Sequence, residues 1–166
     1  MFWILLNFFS ESEKKFFQLN NRNIYLKILL VLIAIQIILG AFVSGLDAGK
    51  IYQTWPLMNN NYFPNDTTLN NFFNLNQPST VQFLHRNIAY IIFFLSVYIG
   101  FNILKKKNTY QYKYFIFFFL VILTQIGLGI FVLISGVNIY LASMHQISSI
   151  FLVITVLKLY HSSIRS

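Results

Sequence analysis

Long uncharged runs constrain this chain more than any other feature of its sequence. No Asp, Glu, Lys or Arg occurs in residues 28–46, in residues 87–104, or anywhere in residues 114–157. A helix of about 20 apolar residues is long enough to cross the hydrocarbon of a bilayer. The last run suffices for two crossings, and the sequence SGVN at 135–138 supplies a break between them. The sequence therefore predicts four transmembrane helices.

Composition argues against a soluble domain. Charged residues make up 10% of the 166 residues and hydrophobic residues 57%, whereas soluble proteins carry about 25% charged residues. The length is enough for one compact unit. The sequence has no cysteine, which excludes disulfides, zinc–thiolate sites and thiol catalysis.

These runs predict a short N-terminal segment followed by one membrane domain. Residues 1–23 begin with an apolar stretch too short to span a bilayer, so we expect an interfacial segment or the remnant of a preceding helix. The domain at 24–166 is an all-α bundle, with helices predicted at 24–46, 80–104, 114–135 and 139–160.

A polar loop at 47–79 joins the first two of these helices. It holds all three prolines and two of the four acidic residues, so it should lie in water. Several aromatic and apolar side chains predict that it folds back over the helix ends: Trp55, Met58, Phe63, Phe72 and Phe73.

Basic residues predict the orientation of the bundle. The net charge is +8, and the bases cluster before the first helix, between residues 105 and 113, and near the C-terminus. Cytoplasmic loops of membrane proteins gather Lys and Arg. Both termini are therefore predicted to be cytoplasmic and the 47–79 loop to lie outside. We therefore interpret the net positive charge as a sign of membrane orientation. The expected partner is the lipid bilayer, and no nucleic acid partner is expected.

The bundle is predicted to consist of two related helix pairs. The segment QIILGAFV at 36–43 returns as QIGLGIFV at 125–132. Each copy is followed by a second apolar run with a histidine near its start, His85 and His145. At about 1.5 Å rise per residue, both imidazoles should lie within roughly 10 Å of the outer ends of their helices.

Two histidines at one depth in a membrane indicate a functional site. Ionisable residues inside transmembrane segments are costly and usually face the bundle interior, although a neutral His can also be satisfied by a carbonyl or hydroxyl. A zinc site would need three or four ligands, and Cys, Asp and Glu do not occur at this depth. Iron in a porphyrin needs only axial ligands from the protein. We therefore predict that His85 and His145 bind heme iron.

Other polar residues of the helices have more ambiguous roles. Arg86 could face heme propionates or extend to the lipid headgroups. Gln82, one turn before His85, could bond an imidazole or a propionate. Gln36 and Gln125 are predicted to join helices by hydrogen bonds and close packing. The third histidine, His161, is interpreted as a residue at the membrane interface.

Four stretches together resemble the heme A synthase family. They are LGAFVSGLDAG at 39–49, TWPLM at 54–58, VQFLHR at 81–86 and LASMHQ at 141–146. Their order and spacing cover the chain from about residue 24 to residue 160. The resemblance is to the C-terminal half of family members, which have eight helices built as two related halves.

The resemblance implies a cofactor and a missing reaction site. In the family the C-terminal half holds heme b through two histidines, which correspond to His85 and His145. The N-terminal half oxidises the methyl group of heme O to the formyl of heme A for cytochrome oxidase assembly. That half has a Glu where this chain has Gln82, and often a cysteine pair. The substrate-oxidising site is therefore expected in a missing or separate N-terminal half. The chain itself would be a gene fragment, the product of a split gene, or a half-sized enzyme that works as a dimer.

Three hypotheses follow for the function. The chain is a heme A synthase or its cofactor-binding half, and hence an oxidoreductase only together with the other half. Alternatively it is a non-enzymatic b-type membrane cytochrome that carries electrons for another partner. The third hypothesis is a heme-free packing or assembly subunit. The expected location is the bacterial cytoplasmic membrane, with the mitochondrial inner membrane as the alternative.

Overall fold

The computed structural model describes residues 1–10, 14–16, 23–67, 74–107 and 109–164. Over these residues the chain forms five α-helices and a short 3-10 helix at Ala48–Lys50. The α-helices are α1 (Phe2–Phe8), α2 (Ile24–Gly45), α3 (Pro78–Lys105), α4 (Thr109–Ile134) and α5 (Ile139–Ser163). Helices α2 to α5 are each long and apolar enough to cross a membrane. The predicted all-α membrane fold with four such helices is confirmed, whereas the location of the termini stays a prediction.

Local sequence explains where several helices begin and end. Pro78 occupies the first turn of α3, where its missing N–H costs nothing. The side chain of Asn138 caps α5 by accepting hydrogen bonds from the backbone N–H groups of Tyr140 and Leu141. Gly136 follows α4 with a φ of 71°, a left-handed conformation that favours glycine. Helix α4 begins five residues before the predicted start, at Thr109.

The helices pack as two pairs. The most extensive helix contacts join α2 to α3 and α4 to α5, with smaller contacts between α3 and α4 and between α2 and α5. The first helix of each pair, α2 or α4, contains one copy of the repeated segment. The observed pairing of the helices therefore agrees with the two related helix pairs predicted from the sequence. We call the end of the bundle where α3 and α5 begin the histidine end.

The apolar core lies away from the histidine end. Its buried members come mainly from the first half of α2 and α4 and the second half of α3 and α5, for example Leu29, Ile99, Phe118 and Leu159. Large apolar side chains on the outside, such as Phe94, Phe117 and Phe151, are more than half exposed. An apolar exterior is the surface that lipid requires.

The N-terminal helix α1 packs on the end opposite the histidine end. Its Trp3 ring lies 4.9 Å from the His161 ring, centroid to centroid. Asn7 Oδ1 lies 2.9 Å from Nε2 of His161, and Lys14 Nζ donates to the His161 carbonyl oxygen. His161 is only 4% exposed. The sequence interpretation placed it at the membrane interface and missed this cover by α1.

Candidate functional site: two histidines on glycine seats

The two histidines occupy equivalent places in the two helix pairs. His85 is the eighth residue of α3 and His145 the seventh residue of α5. A Cβ added at Gly40 of α2 would lie 3.3 Å from Cε1 of His85, and one added at Gly129 of α4 would lie 3.3 Å from Cε1 of His145. Each imidazole therefore rests against a glycine of its partner helix, where a methyl group would press on the ring.

A glutamine one turn before each glycine binds the same histidine. Gln36 Nε2 donates to the backbone carbonyl oxygen of His85 at 3.0 Å, and Gln125 Nε2 donates to that of His145 at 3.3 Å. The predicted interhelical role of both glutamines is thus confirmed. A carbonyl inside a helix already accepts a bond within its helix, so the glutamine adds a second bond and fixes the backbone beside the imidazole.

The side chains of the two histidines have different polar surroundings. Gln36 Nε2 also lies 3.3 Å from the ring nitrogen Nε2 of His85. Gln125 instead directs its amide to the hydroxyl of Ser148, which itself donates to the His145 carbonyl oxygen. The backbone contact is repeated in both pairs, but the contact to the ring is found only for Gln36.

The two imidazoles are suited to a cofactor that itself supplies most of the ligands of its metal ion. Nδ1 of His85 and Nδ1 of His145 are buried and have no hydrogen-bond partner among the described residues. Buried polar atoms without a partner are rare, and an absent ion or ligand is one recognised cause. Over the described residues, no group of three or more His, Cys, Asp or Glu could hold a bare metal ion. Two imidazoles are enough for iron in a porphyrin, because the macrocycle supplies four donors.

Both histidines lie at one end of the bundle, near the starts of α3 and α5. In each pair, the histidine belongs to the helix that follows the repeated segment. Binding of iron by them remains a prediction.

Arg86 and Gln82 form hydrogen bonds to the 47–79 loop. Arg86 donates from Nη2 to the Tyr52 carbonyl oxygen (3.0 Å) and from Nη1 to that of Leu57 (3.3 Å). Gln82, 3% exposed, donates from Nε2 to the same Tyr52 oxygen at 2.9 Å. Nε of Arg86 and Oε1 of Gln82 are buried without a partner among the described residues. Their predicted contacts to propionates or an imidazole stay predictions, and what they hold in this structure is the loop above the histidines.

The described residues of the 47–79 loop cover the histidine end. Met58, 1% exposed, is buried with Tyr52 and Phe83, and the Phe63 ring lies 5.0 Å from that of Phe83. A Cβ on Gly49 would lie 3.1 Å from Val137, so the loop also touches the turn between α4 and α5. The predicted folding back over the helix ends is confirmed for Met58 and Phe63. Trp55 is 46% exposed, and Phe72 and Phe73 lie outside the described residues.

Asp66 anchors this loop to the start of α3, and sequence analysis missed it. Its carboxylate accepts hydrogen bonds from the hydroxyls of Tyr52 and Ser79, and its backbone oxygen accepts one from Gln77. Partial burial acts to raise the pKa of Asp66, but the bonds from Ser79 and Tyr52 outweigh it and lower the pKa below the usual 3.8. Burial and the bond to Asp66 raise the pKa of Tyr52.

The Asp66 anchor is expected to make the stability of the loop depend on acid pH. Because the folded state lowers the pKa, it favours the carboxylate, so the stabilisation is complete above the pKa of the unfolded chain and is lost as pH falls through the folded pKa. Thermal unfolding followed by tryptophan fluorescence from pH 6 to pH 3 should show a falling midpoint, with a smaller slope in Asp66→Asn. Equal slopes in both proteins would contradict the assignment.

The fold and site define a class: a multi-pass membrane protein with paired histidines in a duplicated helix hairpin. Residues 1–157 match the model of the cytochrome oxidase assembly protein family COX15-CtaA. The chain belongs to this family, which confirms the resemblance stated from its motifs.

Relatives named heme A synthase align with most of the chain. The protein of Pelagibacter ubique is 45% identical over 153 residues, 90% of this chain and 44% of the relative. That of Rickettsia felis is 38% identical over 140 residues (82% and 41%), and that of Bartonella tribocorum 41% over 123 residues (71% and 34%). The chain thus spans less than half the length of these relatives. No solved structure matches it.

The family and the helices establish the location. The relatives are bacterial, and four helices of the described chain can span a membrane. The chain is a multi-pass protein of the bacterial cytoplasmic membrane, as predicted, and it belongs to a heme A biosynthesis family.

Proposed function

We propose that this chain is the heme b-binding half of a heme A synthase, with His85 and His145 as the axial ligands of the iron. The proposal rests on a histidine–glycine contact that occurs in both helix pairs. In both helix pairs an imidazole rests on a glycine of the partner helix and has a buried Nδ1 without a partner among the described residues. A heme in this position supplies one-electron chemistry, whose potential depends on the axial ligands and on burial.

The residues of this chain would bind, orient and shield the cofactor. Gln36 and Gln125 fix the backbone beside each ligand. Arg86 and Gln82 hold the loop that covers the histidine end and keeps water from it. The apolar core closes the other side. The described residues thus offer ligands and cover for a redox cofactor.

The oxidation of heme O to heme A is proposed to need a second polypeptide segment, equivalent to the half of the relatives that this chain does not match. The relatives named heme A synthase are more than twice as long as the segment they share with this chain. The partner is therefore a chain equivalent to the remaining half, or a second copy of this chain. A heme b held by His85 and His145 would supply one-electron transfer to or from a substrate heme held by that partner.

The proposal is tested by expressing the chain with a source of heme O, alone and together with a chain that supplies the remaining half. We expect a low-spin b-type visible spectrum in both preparations, and heme A, measured in extracted hemes, only in the second. A b-type spectrum with no effect of the chain on heme A in any combination would favour a membrane cytochrome that carries electrons for another partner. A purified chain without heme would contradict both functions.

A further inference from the structure

The amide of Gln36 caps one ring nitrogen of His85. Its Nε2 lies 3.0 Å from the carbonyl oxygen of His85 and 3.3 Å from the ring nitrogen Nε2. Because a carbonyl oxygen only accepts hydrogen bonds, the group that faces it must be the NH2 of the amide. The second hydrogen of that NH2 is donated to the ring nitrogen, which therefore acts as the acceptor. A neutral imidazole that accepts at Nε2 carries its proton on Nδ1.

Iron can bind His85 only if this contact is given up. A bond at Nε2 needs the lone pair that accepts the hydrogen of Gln36. A bond at Nδ1 would move the proton to Nε2, where it would face the N–H of the amide. Turning the amide over would bring its oxygen against the carbonyl oxygen of His85 and lose the 3.0 Å bond. Each of these routes costs about one hydrogen bond.

The matching glutamine directs its amide hydrogens to acceptors outside the ring of His145. Gln125 Nε2 donates to the carbonyl oxygen of His145 at 3.3 Å and to the hydroxyl of Ser148. Ser148 follows its histidine by three residues, whereas the third residue after His85 is Ile88. An aliphatic side chain cannot accept a hydrogen bond, so the amide of the first pair turns to the ring instead. This one difference in sequence explains why the two imidazoles are held differently.

We propose that Gln36 is a positioning residue that competes with iron for His85, so that His145 is the stronger axial ligand of the heme and His85 the exchangeable one. The inference rests on the proposed function, since it requires both histidines to bind iron. It adds that an external ligand of the iron would replace the imidazole of α3 and leave that of α5 in place.

The test measures how readily carbon monoxide replaces an axial ligand of the reduced heme. Gln36→Leu removes the competing amide, so half-saturation should need about fivefold more carbon monoxide than in the parent, the effect of one hydrogen bond. A glutamine that only held the backbone would give the opposite sign, because its loss would loosen His85. Gln125→Leu is the matched control, since it also removes a bond to a histidine carbonyl and should not raise the requirement. Leucine is chosen because a methionine sulfur can itself bind heme iron.

A second variant keeps the glutamine and changes only where its amide points. Ile88→Ser offers Gln36 the acceptor that Gln125 has in Ser148. The amide should then leave the ring of His85 while its bond to the carbonyl oxygen remains. We expect the same rise in the carbon monoxide requirement, by about fivefold.

The single-histidine variants give an independent measurement that leaves Gln36 in place. His85→Ala keeps the imidazole without a competing amide, so it should bind heme about fivefold more tightly than His145→Ala in a heme titration. This comparison decides the matter if Gln36→Leu does not fold.

Two results would overturn the inference while leaving the proposed function intact. One is a carbon monoxide requirement in Gln36→Leu that equals or falls below that of the parent. The other is heme binding in His145→Ala that is as tight as in His85→Ala, or tighter. A chain in which neither histidine binds iron would instead remove the proposed function itself.

Discussion

Replacing either His85 or His145 by alanine is expected to abolish the low-spin b-type spectrum of the purified protein. A low-spin bis-imidazole heme needs a strong ligand on each side of the iron, and the described residues offer one imidazole from α3 and one from α5. Loss of one imidazole should remove the low-spin spectrum, and loss of both should leave the chain without specific heme. The measurement is the visible spectrum at equal protein concentration, with heme quantified after extraction.

Three controls separate ligation from folding. His161→Gln removes the third histidine, which bonds Asn7 at the opposite end of the bundle, and should keep the spectrum. Gly127→Ala changes α4 without touching a neighbour. Added imidazole should restore the low-spin spectrum in His145→Ala by occupying the space of the lost ring. A low-spin spectrum that survives in either alanine variant would assign the ligand to another residue.

Much of this architecture follows from the sequence because membrane helices depend on local composition. The uncharged runs predicted the four long helices, and the repeat at 36–43 and 125–132 predicted the two related helix pairs. It also placed His85 and His145 in matching turns, and their partners Gln36 and Gln125 were expected to bond across helices. Each of these inferences needs only helix length, periodicity and the cost of polar groups in lipid.

The contacts that distinguish the two halves of the site were not predictable in the same way. Periodicity places Gly40 on a face of α2, but not against the ring of His85, because the rotation of two packed helices depends on all of their contacts. The chain path of the 47–79 loop brings Asp66 to Tyr52 and Ser79, which are far from it in sequence. The cover of His161 by α1 likewise depends on tertiary packing.

Gly100→Ala is expected to destabilise the seam between the two helix pairs. A Cβ on Gly100 of α3 would overlap Cζ of the Phe115 ring in α4 and lie 2.6 Å from its Cε1, well inside van der Waals contact. The Phe115 ring is 6% exposed and stacks on Phe119 at 5.6 Å, so it has little room to swing away. Overpacking of this kind costs about 1–3 kcal/mol, against a gain of at most about 1 kcal/mol from replacing a helical glycine.

The measurement is thermal or denaturant unfolding in detergent, with Gly127→Ala as the matched change. That variant gains the same helix propensity in α4 but adds a methyl group with no neighbour within 4 Å, so it should unfold at the same point as the parent or later. Combining Gly100→Ala with Phe115→Leu should recover part of the loss, because the smaller side chain vacates the space of the ring. Equal stability of Gly100→Ala and Gly127→Ala would show that α3 and α4 can separate freely. The two pairs would then be joined mainly by the contact of α2 with α5 and by the contact of the 47–79 loop with the turn between α4 and α5.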